Sequence, residues 1–148
     1  MLRALNEISR IQVRPKKDTM AKAKWFLDYA ATYPNEIIQY HARKMVLHID
    51  SDSAYLVMPE SLSVYAGHFY LSDWPRDKPN LPSTKSNGPI LTTCKTIRNV
   101  VSSAAEAETM GTFCNAKEGV SILPSLIGLG HKQPPAPLKT DNSTTYGF

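Results

Sequence analysis

Three segments in the middle of the chain carry the residue types of β-strands, and they restrict the fold more than any other feature. The segment MVLHID, residues 45–50, alternates its side chains between two faces. Residues 63–71, SVYAGHFYL, are rich in β-branched and aromatic side chains, and ILTTCKTI, residues 90–97, follows a polar loop at 72–89 that contains four prolines. The sequence therefore predicts three consecutive strands that pair as an antiparallel meander.

Two helices are predicted before these strands. Residues 2–11 carry apolar side chains at helical spacing. A second helix is capped by Asp18 or Thr19 and stops before Pro34. We interpret these two helices as an adaptor that precedes the main domain.

A second helical region follows the strands. Residues 104–117 are rich in Ala, Glu and Met, and Gly119 is expected to stop this helix. Residues 121–129 are expected to form a second, shorter helix that ends at Gly128 or Gly130, and residues 138–140 are expected to open a short strand. The order helix, helix, three strands, two helices, strand predicts an α/β fold.

Composition and charge limit the function classes without choosing one. The chain has 148 residues, 42% of them hydrophobic, and a net charge of +4, which suits one small soluble domain with an appendage. No apolar run reaches the roughly 18 residues of a membrane span.

Cys94 and Cys114 lack metal-ligand spacing and are expected to be buried free thiols. Seven Lys and Arg residues fall within the first 24 positions, where they either contact phosphates or form a solvated face.

Acidic residues lie where the predicted elements end or begin. Asp50 and Asp52 end the first strand, Glu106 and Glu108 lie in the first turns of the following helix, and Asp141 ends the last strand. Acids at such positions can converge at one edge of a sheet and bind Mg²⁺ through their oxygens. Residues of these types also serve as turn and capping residues. The pattern alone leaves both interpretations open.

Local geometry separates the two glutamates. Ser103 and Glu106 have the S-x-x-E spacing of a capping box, which gives Glu106 a structural role. Glu108 lies about 200° further around the helix axis, so the two cannot easily serve one site. We therefore prefer Glu108 as a metal ligand. Asp50 and Asp52 share a face of the strand and are not separated by this reasoning.

Three motifs, in the same order along the chain, resemble the ribonuclease H (RNase H) region of Ty1/copia-type retrotransposon polyproteins. They are HIDSDSAYL at residues 48–56, VSSAAEAETMG at 101–111 and LKTDNSTTYG at 138–147. Residues 19–45 are similar to the linker that follows the polymerase in such polyproteins. The resemblance implies a helical connection over residues 1–38 and an RNase H-like domain over residues 39–148. Its mixed sheet has the order 3-2-1-4-5, with three antiparallel strands followed by a parallel fourth strand, and helices on both faces.

Carried over residue by residue, the resemblance assigns the catalytic and metal-binding acids to Asp52, Glu108 and Asp141, with Asp50 as an additional candidate ligand. It implies two Mg²⁺ or Mn²⁺ ions and hydrolysis of the RNA strand of an RNA–DNA hybrid. The implied partners are that hybrid and the reverse transcriptase domain of the same polyprotein, in the cytoplasm and away from membranes.

Members of this family continue into a fifth strand and a last helix that bears a fourth acid. The sequence stops at Phe148, so we expect an incomplete fold that cleaves hybrid weakly or not at all. Two alternatives stay open beside the nuclease. One is a degenerate RNase H-like module that binds nucleic acid or acts as a spacer, and the other is an unrelated α/β domain whose acids are turn and cap residues.

Overall fold

The computed structural model describes residues 1–73 and 87–141. Its helices and strands are α1 (Leu2–Arg10), α2 (Lys17–Thr32), β1 (Val46–Met58), β2 (Leu62–Ser72), β3 (Pro89–Thr96), α3 (Ala104–Gly128) and β4 (Leu138–Thr140). Most of the loop predicted between β2 and β3, and the part of the LKTDNSTTYG motif that follows Asp141, lie outside the described residues.

The four strands form one mixed sheet in the order β3-β2-β1-β4. β1 pairs with β2, and β2 with β3, in antiparallel orientation, whereas β4 runs parallel to β1. The prediction of an α/β fold with three antiparallel strands and a parallel fourth strand is confirmed. β1 lies inside the sheet, between β2 and β4, so residues near its middle are flanked by backbone on both sides.

β1 is longer than the sequence pattern suggested. It runs to Met58, and its pairing with β2 is regular as far as Ala54 opposite Val64. Asp50 and Asp52 therefore lie within the strand, and the prediction that they end it was wrong. The hydrogen bonds between paired strands join backbone groups. A segment with polar side chains can therefore continue a strand where a neighbouring strand pairs with its backbone.

The α2 helix begins one residue before the earlier of its two predicted caps. Its first residue is Lys17, and the side-chain oxygen of Thr19 accepts a hydrogen bond from the backbone N–H of Lys16 at 3.1 Å. Thr19 thus reaches back to the helix start from inside the first turn, so neither Asp18 nor Thr19 occupies the cap position itself.

Helix α3 is continuous, so the prediction of two helices separated at Gly119 was wrong. A Cβ atom at Gly119 would lie 2.5 Å from Cδ1 of Ile49, which shows that the glycine allows the helix to approach β1 closely. Gly119 is a contact residue rather than a helix terminator. The helix also continues through Pro124 to Gly128.

The core lies between α3 and one face of the sheet. Its main cluster consists of Leu47, Ile49, Phe69, Leu71 and Leu126. A smaller cluster of Tyr65, Ile97 and Ala107 lies nearer the N-terminal end of α3. The first turns of α3 are thereby anchored on the sheet, which places Glu108 beside β1.

Helix α1 is attached more loosely than α3. Its residues contact β3, and the side-chain amide of Asn6 donates to the backbone oxygen of Cys94 at 2.9 Å, but no residue of α1 is buried. Cys94 and Cys114 are free thiols that are partly rather than fully buried. Over residues 1–73 and 87–141, no helix combines the length and the apolar character that a bilayer span needs.

Candidate metal centre

Three of the predicted acids meet where β1, β4 and α3 come together. Asp52 lies in β1, Glu108 in the second turn of α3, and Asp141 directly follows β4. One carboxylate oxygen from each side chain lies within 4.8 Å of the other two. The parallel register explains the closeness of the two aspartates, because Ser51 is paired with Thr140 and an aspartate directly follows each of these residues.

Glu108 is the buried member of this acidic cluster. The residue is 7% exposed, whereas Asp52 and Asp141 are exposed. Its carboxylate accepts hydrogen bonds from the backbone N–H of Ser53 and from the hydroxyl of Thr140. Its Oε2 atom has no hydrogen-bond partner within the described part of the chain. One edge of the carboxylate is therefore held in place while an oxygen remains available to a ligand.

Burial and like charge act together on Glu108. Removal from water raises the pKa of this carboxyl group above its ordinary value, and the nearby charges of Asp52 and Asp141 raise it further. The hydrogen bonds from Ser53 and Thr140 oppose the shift but do not reverse it. The cluster thus carries an electrostatic penalty that a bound cation would remove.

The donor set fits a hard divalent cation. All three ligand groups are carboxylates, and Mg²⁺ and Mn²⁺ prefer oxygen ligands, whereas Zn²⁺ favours nitrogen and sulfur. No other group of three or more His, Cys, Asp or Glu side chains converges in this way within residues 1–73 and 87–141. The cluster can hold a divalent cation, and we define Asp52, Glu108 and Asp141 as the candidate metal centre.

Glu106 has the structural role expected of it, with one difference in partner. The side-chain oxygen of Ser103 accepts the backbone N–H of Glu106 at 3.1 Å. The Glu106 carboxylate accepts the backbone N–H and the hydroxyl of Ser102, both at 2.7 Å, and these bonds lower the pKa of Glu106. In a standard capping box this carboxylate accepts the backbone N–H of the N-cap residue, here Ser103, so the contact with Ser102 lies one residue further back.

Asp50 does not join the metal centre. Although it shares a face of β1 with Asp52, two residues of a strand span about 6.6 Å. The Asp50 carboxylate instead accepts a hydrogen bond from the hydroxyl of Tyr70. Burial, followed by the charge and hydrogen bond of Asp50, raises the pKa of Tyr70 to about 12. The structure therefore separates two aspartates that the sequence alone left equivalent.

Sequence reasoning missed two polar residues beside the centre and a third, two helical turns away, that joins the same helix to the sheet. Ser53 and Thr140 bind Glu108, and Asn115 is fully buried between α3 and the sheet. A signal for Asn115 was present, because it follows Glu108 by seven residues and so lies on the same face of the helix. The hydroxyls of Ser53 and Thr140 gave no such signal, since their role depends on strand pairing.

No known protein family, curated protein or solved structure significantly matches this chain. The function of the protein is therefore inferred from the geometry of the acidic cluster and from the order of the elements that bring it together.

Proposed function

We propose that this protein is a metal-dependent nuclease of the RNase H type, which hydrolyses the RNA strand of RNA–DNA hybrids. The observation that carries the proposal is the convergence of Asp52, Glu108 and Asp141 from three separate elements. Acids that serve only as turn or cap residues have no physical reason to bring their carboxylates together, because like charges repel.

The order of the elements supports the same proposal. The sheet order β3-β2-β1-β4, with β4 parallel to β1 and a helix connecting β3 to β4, is compatible with an RNase H-like fold. The motifs that resemble the Ty1/copia family also coincide with the centre. HIDSDSAYL lies in β1, VSSAAEAETMG spans the start of α3, and Asp141 of the third motif follows β4.

The chain's own residues would hold the cations in a defined way. Glu108, fixed by Ser53 and Thr140, would provide the buried ligand, and Asp52 and Asp141 would complete the site from its solvent side. One or two bound Mg²⁺ or Mn²⁺ ions would supply Lewis-acid stabilisation of charge on the phosphodiester and lower the pKa of water. Because Asp52 and Asp141 are exposed, a phosphate backbone can approach the centre directly from solvent.

The proposed substrate and partners follow from the resemblance. Discrimination of RNA from DNA would rest on contacts to the 2′-hydroxyl groups. The proposed partner is the reverse transcriptase domain of the same polyprotein, with the protein acting in the cytoplasm.

The test measures divalent-metal affinity and cleavage together. Binding of Mg²⁺ and Mn²⁺ by calorimetry, and metal-dependent cleavage of a labelled RNA–DNA hybrid, are compared for the natural chain and for Glu108→Gln. The control is Glu106→Gln, which lies two residues away and caps the helix without facing the centre. We expect Glu108→Gln to lose both metal binding and cleavage and Glu106→Gln to keep them. Equal metal affinity of the two variants would rule out the proposed centre.

A second candidate function is a nucleic-acid-binding module that does not cleave. The observation that favours it is a set of cations at the start of the chain, namely Arg14, Lys16 and Lys17, that are exposed and form no ion pair with any described residue. This module would bind hybrid with strong salt dependence and without divalent metal. Hybrid binding that is unaffected by Glu108→Gln, with no cleavage by the natural chain, would favour it over the nuclease.

A further inference from the structure

Asn115 is a buried polar residue in the middle of the contact between α3 and the sheet. It is 0% exposed, and its Nδ2 donates two hydrogen bonds of 2.8 Å, to Oγ of Ser51 in β1 and to the backbone oxygen of Ala66 in β2. The carbonyl oxygen of Ala66 can only accept, which fixes the orientation of the amide. A single side chain thus joins one helix to two strands.

Apolar residues of α3 are buried on the sheet towards its two ends, at Ala107 and Leu126, whereas the buried residues between them are glycines and polar residues. Glu108, Gly111, Asn115 and Gly119 form one stripe of α3 that faces the sheet. Gly111 lies against the side chain of Ser53, and Gly119 against that of Ile49. The glycines let side chains of the sheet approach the helix closely, but these contacts are not directional. The two hydrogen bonds from Asn115 are directional and add a constraint on the position of the helix along the strands.

Ser51, the residue of β1 that accepts a hydrogen bond from Asn115, lies next to the candidate metal centre. Ser51 precedes Asp52 in β1 and is paired with Thr140 of β4. The hydroxyl of Thr140 in turn donates to Glu108. Asn115 and Glu108 therefore both contact β1, from two points on one helix that are two turns apart, while Asn115 also contacts β2 and Glu108 also contacts β4.

We propose that Asn115 is a positioning residue whose amide fixes the register of α3 on β1 and so holds Glu108 beside Asp52 and Asp141. The inference rests on the proposed function, because the register of α3 is taken to matter through its effect on the position of the metal ligand Glu108. A slip of one helical turn would move Glu108 by about 5.4 Å. The ligand oxygens of the centre lie within 4.8 Å of one another, so such a slip would take Glu108 out of the site.

The unpaired oxygen of Asn115 supports a directional role over simple filling of space. Oδ1 has no hydrogen-bond partner within the described residues, and it lies where a side chain on Gly67 would collide with it. An apolar side chain of similar size would fill this volume without burying an unpaired acceptor. The amide group therefore provides something that packing alone does not.

The experiment compares Asn115→Leu, Ser51→Ala and a matched control, Leu126→Ala, which weakens the main core cluster from the same helix. Two quantities are measured on each full chain. One is Mn²⁺ affinity. The other is the distance between spin labels on exposed positions of α3 and β3, introduced by Val120→Cys and Ile90→Cys after replacement of both native cysteines.

We expect Asn115→Leu to reduce Mn²⁺ affinity by roughly 10- to 100-fold, the usual effect of removing a residue that orients a ligand. The label distance should shift or broaden on the scale of one turn, about 5.4 Å. Ser51→Ala should produce a smaller change in the same direction, because the bond to Ala66 remains. Leu126→Ala should lower the melting temperature and leave both quantities close to those of the natural chain.

The outcomes separate this inference from the proposed function. If the natural chain binds no Mn²⁺, the proposed function fails, and the label distance alone decides whether Asn115 fixes the register. An unchanged distance in Asn115→Leu, or an equal loss of affinity in Leu126→Ala, overturns the positioning role. Should Asn115→Leu fail to fold, the same two measurements on Ser51→Ala decide the matter, and unchanged values there overturn the proposal.

Discussion

Glu108 combines two properties that are costly when they occur together in one residue. It is almost fully buried, and it lies beside two other carboxylates. Hydrogen bonds from Ser53 and Thr140 lower part of the cost, but burial and the charges of Asp52 and Asp141 still raise the pKa of Glu108. A buried carboxyl group with a raised pKa in an acidic cluster is the expected form of a metal ligand before the cation binds.

The raised pKa of Glu108 predicts how stability depends on pH. The folded, metal-free chain keeps the proton on Glu108 to a higher pH than the unfolded chain does. The contribution of Glu108 to the free energy of unfolding is therefore full below its ordinary pKa of 4.5 and is lost as pH rises through its folded pKa. Mg²⁺ should reverse this loss, because it binds the charged form.

Thermal melts of the natural chain and of Glu108→Gln, with and without Mg²⁺, measure this effect. Relative to Glu108→Gln, the metal-free natural chain should lose melting temperature as pH rises through that window. The increase in its melting temperature on adding Mg²⁺ should grow over the same pH range and be absent from Glu108→Gln. A Mg²⁺ effect that is independent of pH, or equal in both proteins, would contradict the assignment of Glu108.

Asp50 and Asp52 provide a second comparison, between two aspartates that are two residues apart in one strand. Asp52→Asn should weaken Mn²⁺ binding at least tenfold, because it removes a ligand and a charge from the centre. Asp50→Asn should change Mn²⁺ affinity less than about threefold, since an asparagine oxygen can still accept the hydrogen bond of Tyr70 and the charge lies outside the cluster. Calorimetric titration of both variants checks this, and a larger loss in Asp50→Asn would place Asp50 in the centre.

The helices and strands were predicted correctly where the local sequence determines their structure. They were mispredicted where a contact with a neighbouring element determines it. The three strands, the short β4 and the capped start of α3 all follow from side-chain patterns and cap residues. Gly119 was read as a helix end because glycine favours such positions, but the approach of Ile49 gives it a different role. β1 extends through polar residues because β2 pairs with them. Neither the contact between Gly119 and Ile49 nor the pairing of β1 with β2 can be inferred from the sequence of one segment alone.

The glycines of α3 allow a prediction about the contact between helix and sheet. A Cβ atom at Gly111 would collide with Oγ of Ser53 and would lie 3.0 Å from Cβ of Tyr65. Gly111→Ala should therefore push α3 away from β1 near Glu108 and lower the free energy of unfolding by about 1–3 kcal/mol. Metal affinity should fall as well, because Ser53 holds the Glu108 carboxylate.

The matched control is Gly128→Ala, at the last residue of the same helix, where an added Cβ meets nothing within 4 Å. That change should stabilise the chain slightly, by at most about 1 kcal/mol, because alanine restricts the unfolded chain more than glycine does. Urea unfolding and Mn²⁺ titration of both variants provide the measurement. Equal effects at the two positions would show that α3 does not approach the sheet as closely as the structure indicates.

At the scale of the whole molecule, the candidate metal centre is a product of topology. Asp52, Glu108 and Asp141 are far apart in the sequence and meet because β4 returns parallel to β1 while the N-terminal half of α3 packs against β1. The sequence could assign Glu108 over Glu106 from capping alone. It could choose Asp52 over Asp50 only through a family resemblance, because residues two apart in a strand look alike until Tyr70 is placed beside one of them.

The looser attachment of α1 makes a prediction for the molecule as a whole. No residue of α1 is buried, and only Thr19 is buried in α2, whereas α3 and the sheet share the core. Helices without buried contacts open at a low free-energy cost. In native-state hydrogen exchange, the amides of α1 and α2 should therefore exchange through local opening, at least about 100-fold faster than those of β1, β2 and α3.

Asn6→Ala tests the attachment further, because it removes the hydrogen bond to Cys94 at the edge of the sheet. Exchange in α1 should become faster in this variant, while the protection of β1 and the Mn²⁺ affinity stay unchanged, because the metal centre lies on the other side of β1 from β3. Equal protection across all three helices would instead mean that the N-terminal helices and the sheet unfold as one cooperative unit. That result would argue against a helical connection that is separable from the domain bearing the acids.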